Sequence, residues 1–180
     1  MAQLTLGLTG ICAYLLRDRA VLFTLALGMI ALSAQYVARG GDALTTGRSF
    51  FGVMRVTALN DDRMGGAVHV LAHGTTLHGS QARSGELACT PTLYYAPLSP
   101  LGQAAGVAQS RNAAARIGVV GQGAGAMAAY KRASDDFTFF EIDPMVDRMA
   151  RDPRWFTYIS DCAQGPVRTV LGDALLTLRQ

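Results

Sequence analysis

Cysteine is scarce in this sequence: 180 residues contain Cys12, Cys89 and Cys162, far apart, with neither a CxxC pair nor a Cys/His ligand spacing. That pattern argues against zinc and reads as free thiols. Charge is also sparse, at 16% Asp, Glu, Lys and Arg with a net charge of +3. Eight basic residues face five acidic ones up to Ala115 and eight face eight beyond it, so no basic patch forms and nucleic acid is not expected as a partner. No basic stretch precedes the first apolar run, and two runs in tandem do not suit a secretory signal peptide. The three histidines, His69, His73 and His78, come without a carboxylate or cysteine nearby. His69 and His73 share one face of a strand, yet satisfied hairpin residues are the more economical reading, and no metal is expected.

What is abundant is apolar: half the residues are hydrophobic, ample for the core of one ordinary domain. Leu4 to Leu16 and Ala20 to Val37 are apolar runs separated by Arg17-Asp18-Arg19, and the second holds about eighteen residues without a charge, near the minimum for a bilayer. Residues 1–38 are therefore expected to be transmembrane or hydrophobic helices, with a buried core hairpin as the alternative. The expected partner is a lipid bilayer, in an inner or plasma membrane. Arg17 and Arg19 favour a cytoplasmic loop between the runs, whereas Arg39, Arg48 and Arg55 pull the other way. The glycine-rich site further along the chain, Gly121 to Gly125, suits a small molecule made inside the cell, so the soluble part is expected in the cytoplasm.

Residues 39–47 read as a linker, since Gly40 to Thr46 is polar and Gly-containing. Residues 48–97 read as a β-hairpin subdomain: Ser49 to Leu59 and Gly66 to His73 are strands around an Asn60-Asp61-Asp62 turn, and Thr75 to His78 is a further strand candidate. Pro91 to Pro100 is a turn-rich connection in which Tyr94 and Tyr95 either wall a pocket or pack a loop. Leu101 to Gln109 is a short helix.

Residues 98–180 carry the chemistry. In RIGVVGQGAGAMAAY, Arg116 to Tyr130, a short apolar run breaks into Gly121, Gly123 and Gly125 and then into helix formers. A second apolar run ends in Glu141, about twenty residues after Gly121. A buried strand turning into a helix leaves N–H groups free to face a ligand, and glycine lets the ligand approach. A carboxylate at the next strand tip can accept both hydroxyls of a ribose. Pro144 opens a helix running to about Arg151, Val167 to Leu171 is a third strand, and Asp173 follows at its tip, as a second acid in the crevice, a helix N-cap, or both.

These segments resemble the spermidine synthase-like proteins, polyamine aminopropyltransferase relatives, in the branch fused to a membrane region. RSFFGVMRV, HGTTLHGSQ, PTLYYAPLSP, RIGVVGQGAGAMAAY, FFEIDPMV and VLGDAL follow in family order from about Arg48 to Leu175. The resemblance implies an α/β fold: N-terminal membrane helices, a small β-hairpin subdomain, then the first half of an S-adenosylmethionine-dependent methyltransferase-type, Rossmann-like doubly wound sheet. It implies S-adenosylmethionine or its decarboxylated form as nucleoside co-substrate, with no tightly bound cofactor, and a small-molecule amine as acceptor. Gly121, Gly123 and Gly125 would pass under the nucleoside, Glu141 would hold the ribose, Asp173 and Ala174 would meet the adenine, and Gln81 and Tyr94 would bind the amine.

Three departures stand out. Ala124 occupies the place of an acid that contacts the aminopropyl amine in soluble spermidine synthases. Tyr95 follows Tyr94 where a polar partner is common, and the loop between Gln81 and Tyr94 is long. The chain reaches Gln180 soon after the third strand, so the region with the family's catalytic aspartate is missing, and a fragment that is not catalytic alone is expected. The edge of the first strand would be left open, to be covered by a partner chain or a homo-oligomer. Competing readings are an S-adenosylmethionine-dependent methyltransferase, a nicotinamide-dependent oxidoreductase (Gly121, Gly123 and Ala126 fit GxGxxA) and a non-enzymatic truncated membrane protein.

Overall fold

The computed structural model of the protein describes residues 14–38 and 43–178. Two units are described separately, one up to Asp42 and one from Ala43 onward. In the first, α1 spans Ala20–Ala38. Its apolar residues are interrupted by Thr24, Ser33 and Gln35, which leaves no uninterrupted run near the roughly 20 apolar residues of a spanning helix. Among the described residues no helix is long and apolar enough to cross a membrane. The expected transmembrane helices and the membrane localisation are corrected accordingly, and nothing among the described residues supports the bilayer partner. Most of the Leu4 to Leu16 run, and Cys12, lie outside the described residues.

The second unit is mixed α/β, with two separate sheets in place of the expected hairpin and doubly wound half. The first is an antiparallel meander in the order β1 (Ala43–Ser49), β2 (Gly52–Asp61), β3 (Gly66–His73) and β4 (Thr76–Ala82). β1 begins in the segment read as a linker, because Thr45, Thr46 and Gly47 pair with Val56, Arg55 and Met54 of β2 across a tight Phe50-Phe51 turn, with Ser49 opposite Gly52 and Leu44 skipped at a register shift. Asp61 caps the β2–β3 turn by accepting from the Arg63 N–H at 2.9 Å, and Gly65 closes it in the left-handed region.

The second sheet is parallel, in the order β5 (Arg116–Val120), β6 (Asp136–Glu141) and β7 (Arg168–Leu171). Alternation along β6 buries Phe137 and Phe139 on one face, where α2 (Pro100–Arg111) and a 3₁₀ turn at Ala126–Tyr130 cover them. Each buried phenylalanine contributes about 2–3 kcal/mol. The opposite face, with Gly118, Thr138, Phe140 and Val170, lines an open depression of about 510 Å³. A doubly wound sheet needs helices on both faces, so that part of the expectation is corrected too. The helix expected after the glycines is the single 3₁₀ turn, while α3 (Pro144–Arg151) forms with Asp143 as its N-cap, and α4 (Ala174–Thr177) follows β7.

The sheets are held to each other by side chains. Met54, Val56 and Leu71 of the meander pack with Ala124 and with Met145, Val146 and Met149 of α3. The Tyr158 hydroxyl, on a fully buried ring, lies 2.9 Å from the Ser80 carbonyl and 3.0 Å from that of Thr90. Cys89 and Cys162 form a disulfide with Cα atoms 5.3 Å apart, which corrects the free-thiol reading. Residues 73 apart in sequence give no spacing signal for such a pair.

Candidate functional site

A cavity of about 490 Å³ opens at the C-terminal tips of β5 and β6, facing the meander. That size suits a small molecule. The chain leaves β5 through Gly121, whose N–H donates to the Phe140 carbonyl at 2.8 Å. Gly121 has φ +83° with open space where a Cβ would point, so it offers bare backbone to the cavity. Gly123, at φ +54°, is required for another reason: a Cβ there would lie 2.3 Å from the His78 carbonyl oxygen. The next residue completes the clamp, as the Ala124 N–H donates to that carbonyl at 3.2 Å.

Ala124 is itself fully buried, and its Cβ sits 2.6 Å from where a Cβ on Gly79 would be. Ala124 is thus buried directly against strand β4.

Glu141 ends β6 and is buried. Its Oε2 accepts from the Gln122 N–H at 2.8 Å and its Oε1 from the Asp143 N–H at 2.9 Å. Two backbone amides thereby fix the carboxylate at the cavity wall, and each oxygen keeps a lone pair for a further donor. Asp143 is spent on structure: one oxygen accepts from the Met145 N–H at 2.8 Å and the other from the Ser49 hydroxyl.

Of the residues singled out in the sequence, Gly121, Gly123 and Glu141 line the cavity. Gly125 lies beneath the loop against Ile159. Asp173 is exposed and caps α4 through the Leu175 N–H at 2.8 Å, and neither it nor Ala174 reaches the cavity. Gln81 is fully buried, with its amide engaged by the Ala88 carbonyl at 2.8 Å and by the Thr157 N–H at 2.7 Å. The Tyr94 hydroxyl donates to the Leu77 carbonyl at 3.2 Å, outside the cavity, and its neighbour Tyr95 forms the wall instead.

His73 and His78 also line the cavity, with ring centroids 5.8 Å apart. Their meeting has a backbone cause. Leu71 pairs with Gly79 and Ala72 with Leu77, so His78 is the extra residue of a β-bulge. The bulge turns its ring to the side His73 occupies at the end of β3. The signal in the sequence was Gly79, a glycine inside a strand, directly after His78. His69, by contrast, bonds the Trp155 carbonyl at 2.9 Å. No group of three or more metal-ligating side chains occurs among the described residues.

Burial holds the His78 imidazole below its ordinary pKa, the nearby His73 adds to that, and Glu141 opposes it. Burial, reinforced by Tyr94, raises the Tyr95 hydroxyl far above its usual range, so it stays protonated. The site therefore combines bare backbone at Gly121, one fixed carboxylate, two half-buried imidazoles and apolar walls from Met54, Val120, Ile142 and Val146. Comparison of the chain with protein-family models, with curated proteins and with solved structures finds no match in any of the three.

Proposed function

We propose that the cavity is the donor site of a group transferase and binds an S-adenosyl nucleoside. The observation that carries this is the Glu141 carboxylate, pinned by the Gln122 and Asp143 amides at the tip of β6 beside the open backbone of Gly121. A ribose presents two adjacent hydroxyls to such a carboxylate, and glycine backbone lets the nucleoside lie close. In the transfer, the acceptor's lone pair bonds the carbon beside the sulfonium, and the carbon–sulfur electrons return to sulfur as a neutral thioether.

The resemblance to spermidine synthase-like proteins supports an aminopropyl donor and an amine acceptor. A methyl donor is the second reading, and specific observations favour it. Ala124 carries no acid and is buried against β4, and Gln81 and Tyr94 are engaged away from the cavity. The test is calorimetric titration with 5′-methylthioadenosine, which carries the nucleoside and the thioether alone. Saturable binding that is lost in Glu141→Ala supports the reading. Absence of binding by a folded protein refutes it.

A further inference from the structure

The carboxylates of Glu141 and Asp143 are engaged by backbone amides and by Ser49, and the Tyr95 hydroxyl is protonated. Among the described residues, neither the His73 nor the His78 ring has a hydrogen-bond partner, although both are half-buried at the cavity wall. An imidazole in that position supplies one N–H donor when neutral and two when protonated, and it suits an acidic group far better than an ammonium. We propose that His73 and His78 form a carboxylate subsite that receives the amino-acid tail of the bound nucleoside, so the preferred ligand is the tail-bearing form and not the decarboxylated one. This rests on the nucleoside reading above and specifies the chemistry of the remainder of that cavity.

The geometry gives the pair its role. The bulge at His78 puts two rings 5.8 Å apart, close enough for one carboxylate to engage both. The His78 carbonyl accepts from the Ala124 N–H, which places that imidazole beside the glycine loop where a chain leaving the ribose would run. Burial and the neighbouring His73 disfavour a proton on His78, and a carboxylate bound against that ring favours one. Binding of the tail therefore takes up a proton at His78. The groups facing the pair are Glu141 and Asp143 at the end of β6 and Tyr95 from the loop before α2. Of these Tyr95 is uncharged, and the two carboxylates are already hydrogen-bonded.

The experiment is paired titration of the full chain with S-adenosylhomocysteine and with 5′-methylthioadenosine between pH 6 and pH 8. These ligands share the nucleoside and the thioether and differ in the tail. Charge-assisted hydrogen bonds to the carboxylate predict a ratio of affinities of about tenfold or more in favour of S-adenosylhomocysteine. That ratio should increase toward pH 6 and fall to near one in the double variant H73A/H78A, whatever happens to the two affinities individually. Equal affinities, or a preference that persists in the double variant, overturn the subsite while leaving the nucleoside reading intact. Failure of both ligands to bind overturns the nucleoside reading and the subsite with it.

Discussion

Replacing Gly123 and Gly121 by alanine, one at a time, separates what the glycine loop does for the fold from what it does for a ligand. An alanine held in the left-handed region costs about 1 kcal/mol at either position. At Gly121 nothing lies within 4 Å of the new Cβ, and stiffening of the unfolded chain returns about 0.5 kcal/mol. The net loss of stability is about 0.5 kcal/mol, and the methyl group stands in the cavity. At Gly123 the Cβ would overlap the His78 carbonyl oxygen at 2.3 Å. Relief requires β4 and the loop to separate, which sacrifices the hydrogen bond from Ala124 to His78, worth about 1 kcal/mol, as well as packing around Ala124. The total is about 2 kcal/mol. With a urea m-value of about 2 kcal/mol/M, the midpoint falls by about 1 M for Gly123→Ala and by about 0.25 M for Gly121→Ala. Titration with 5′-methylthioadenosine should show the reverse order of interest, a nearly native fold with weakened binding in Gly121→Ala. Unchanged nucleoside affinity in that variant would refute the placement of the ligand over Gly121. A wild-type midpoint in Gly123→Ala would refute the clamp between β4 and the loop.

Reduction of the Cys89–Cys162 disulfide, whose cysteines lie 73 residues apart, removes a constraint worth about 4 kcal/mol by chain entropy and should lower Tm by about 10 °C, as read in melts with and without dithiothreitol and in C89S/C162S. Tyr158→Phe leaves the Ser80 and Thr90 carbonyls without their shared donor; a loss of about 1–2 kcal/mol is expected in urea unfolding. Asp135 accepts from Arg132, from the Ala115 N–H and from Gln109, and the Arg132 guanidinium first among these holds its carboxyl far below the usual range. A depressed folded pKa stabilises above the unfolded value near 4 and is lost as pH falls through the folded one. Asp135→Asn should therefore lower the urea midpoint at pH 7, with the gap to wild type narrowing as pH drops below about 4.

Periodicity and turn chemistry made much of the local structure legible. Gly66 to His73 is a strand because its residues alternate between turn signals, and Pro144 starts α3 because its missing N–H is harmless in a first turn. β1 was illegible because Thr45, Thr46 and Gly47 look like a loop until β2 provides a partner. The apolar content of residues 20–37 suggested a bilayer, but an average does not show where Ser33 and Gln35 interrupt the run. At the site, Gly121, Gly123 and Glu141 followed from the strand-turn-strand pattern. The histidine pair did not, because a β-bulge is a register event between two strands and single-strand spacing cannot reveal it. Gln81 and Tyr94 lie away from the cavity, each with a hydrogen bond to nearby backbone, a placement that side-chain polarity in a sequence does not reveal.

The bond between Cys89 and Cys162 also has a topological meaning. It closes the intervening chain into a covalent ring, and that ring carries the glycine loop, Glu141 and α3, while His73 and His78 lie on the strand segment that enters it. A single proteolytic nick anywhere inside the ring leaves one molecule of undiminished mass under non-reducing conditions and two pieces after reduction. The glycine-loop wall and the imidazole wall of the cavity are thus joined covalently by two routes, the peptide chain and the sulfur bridge, and only loss of both removes the tether.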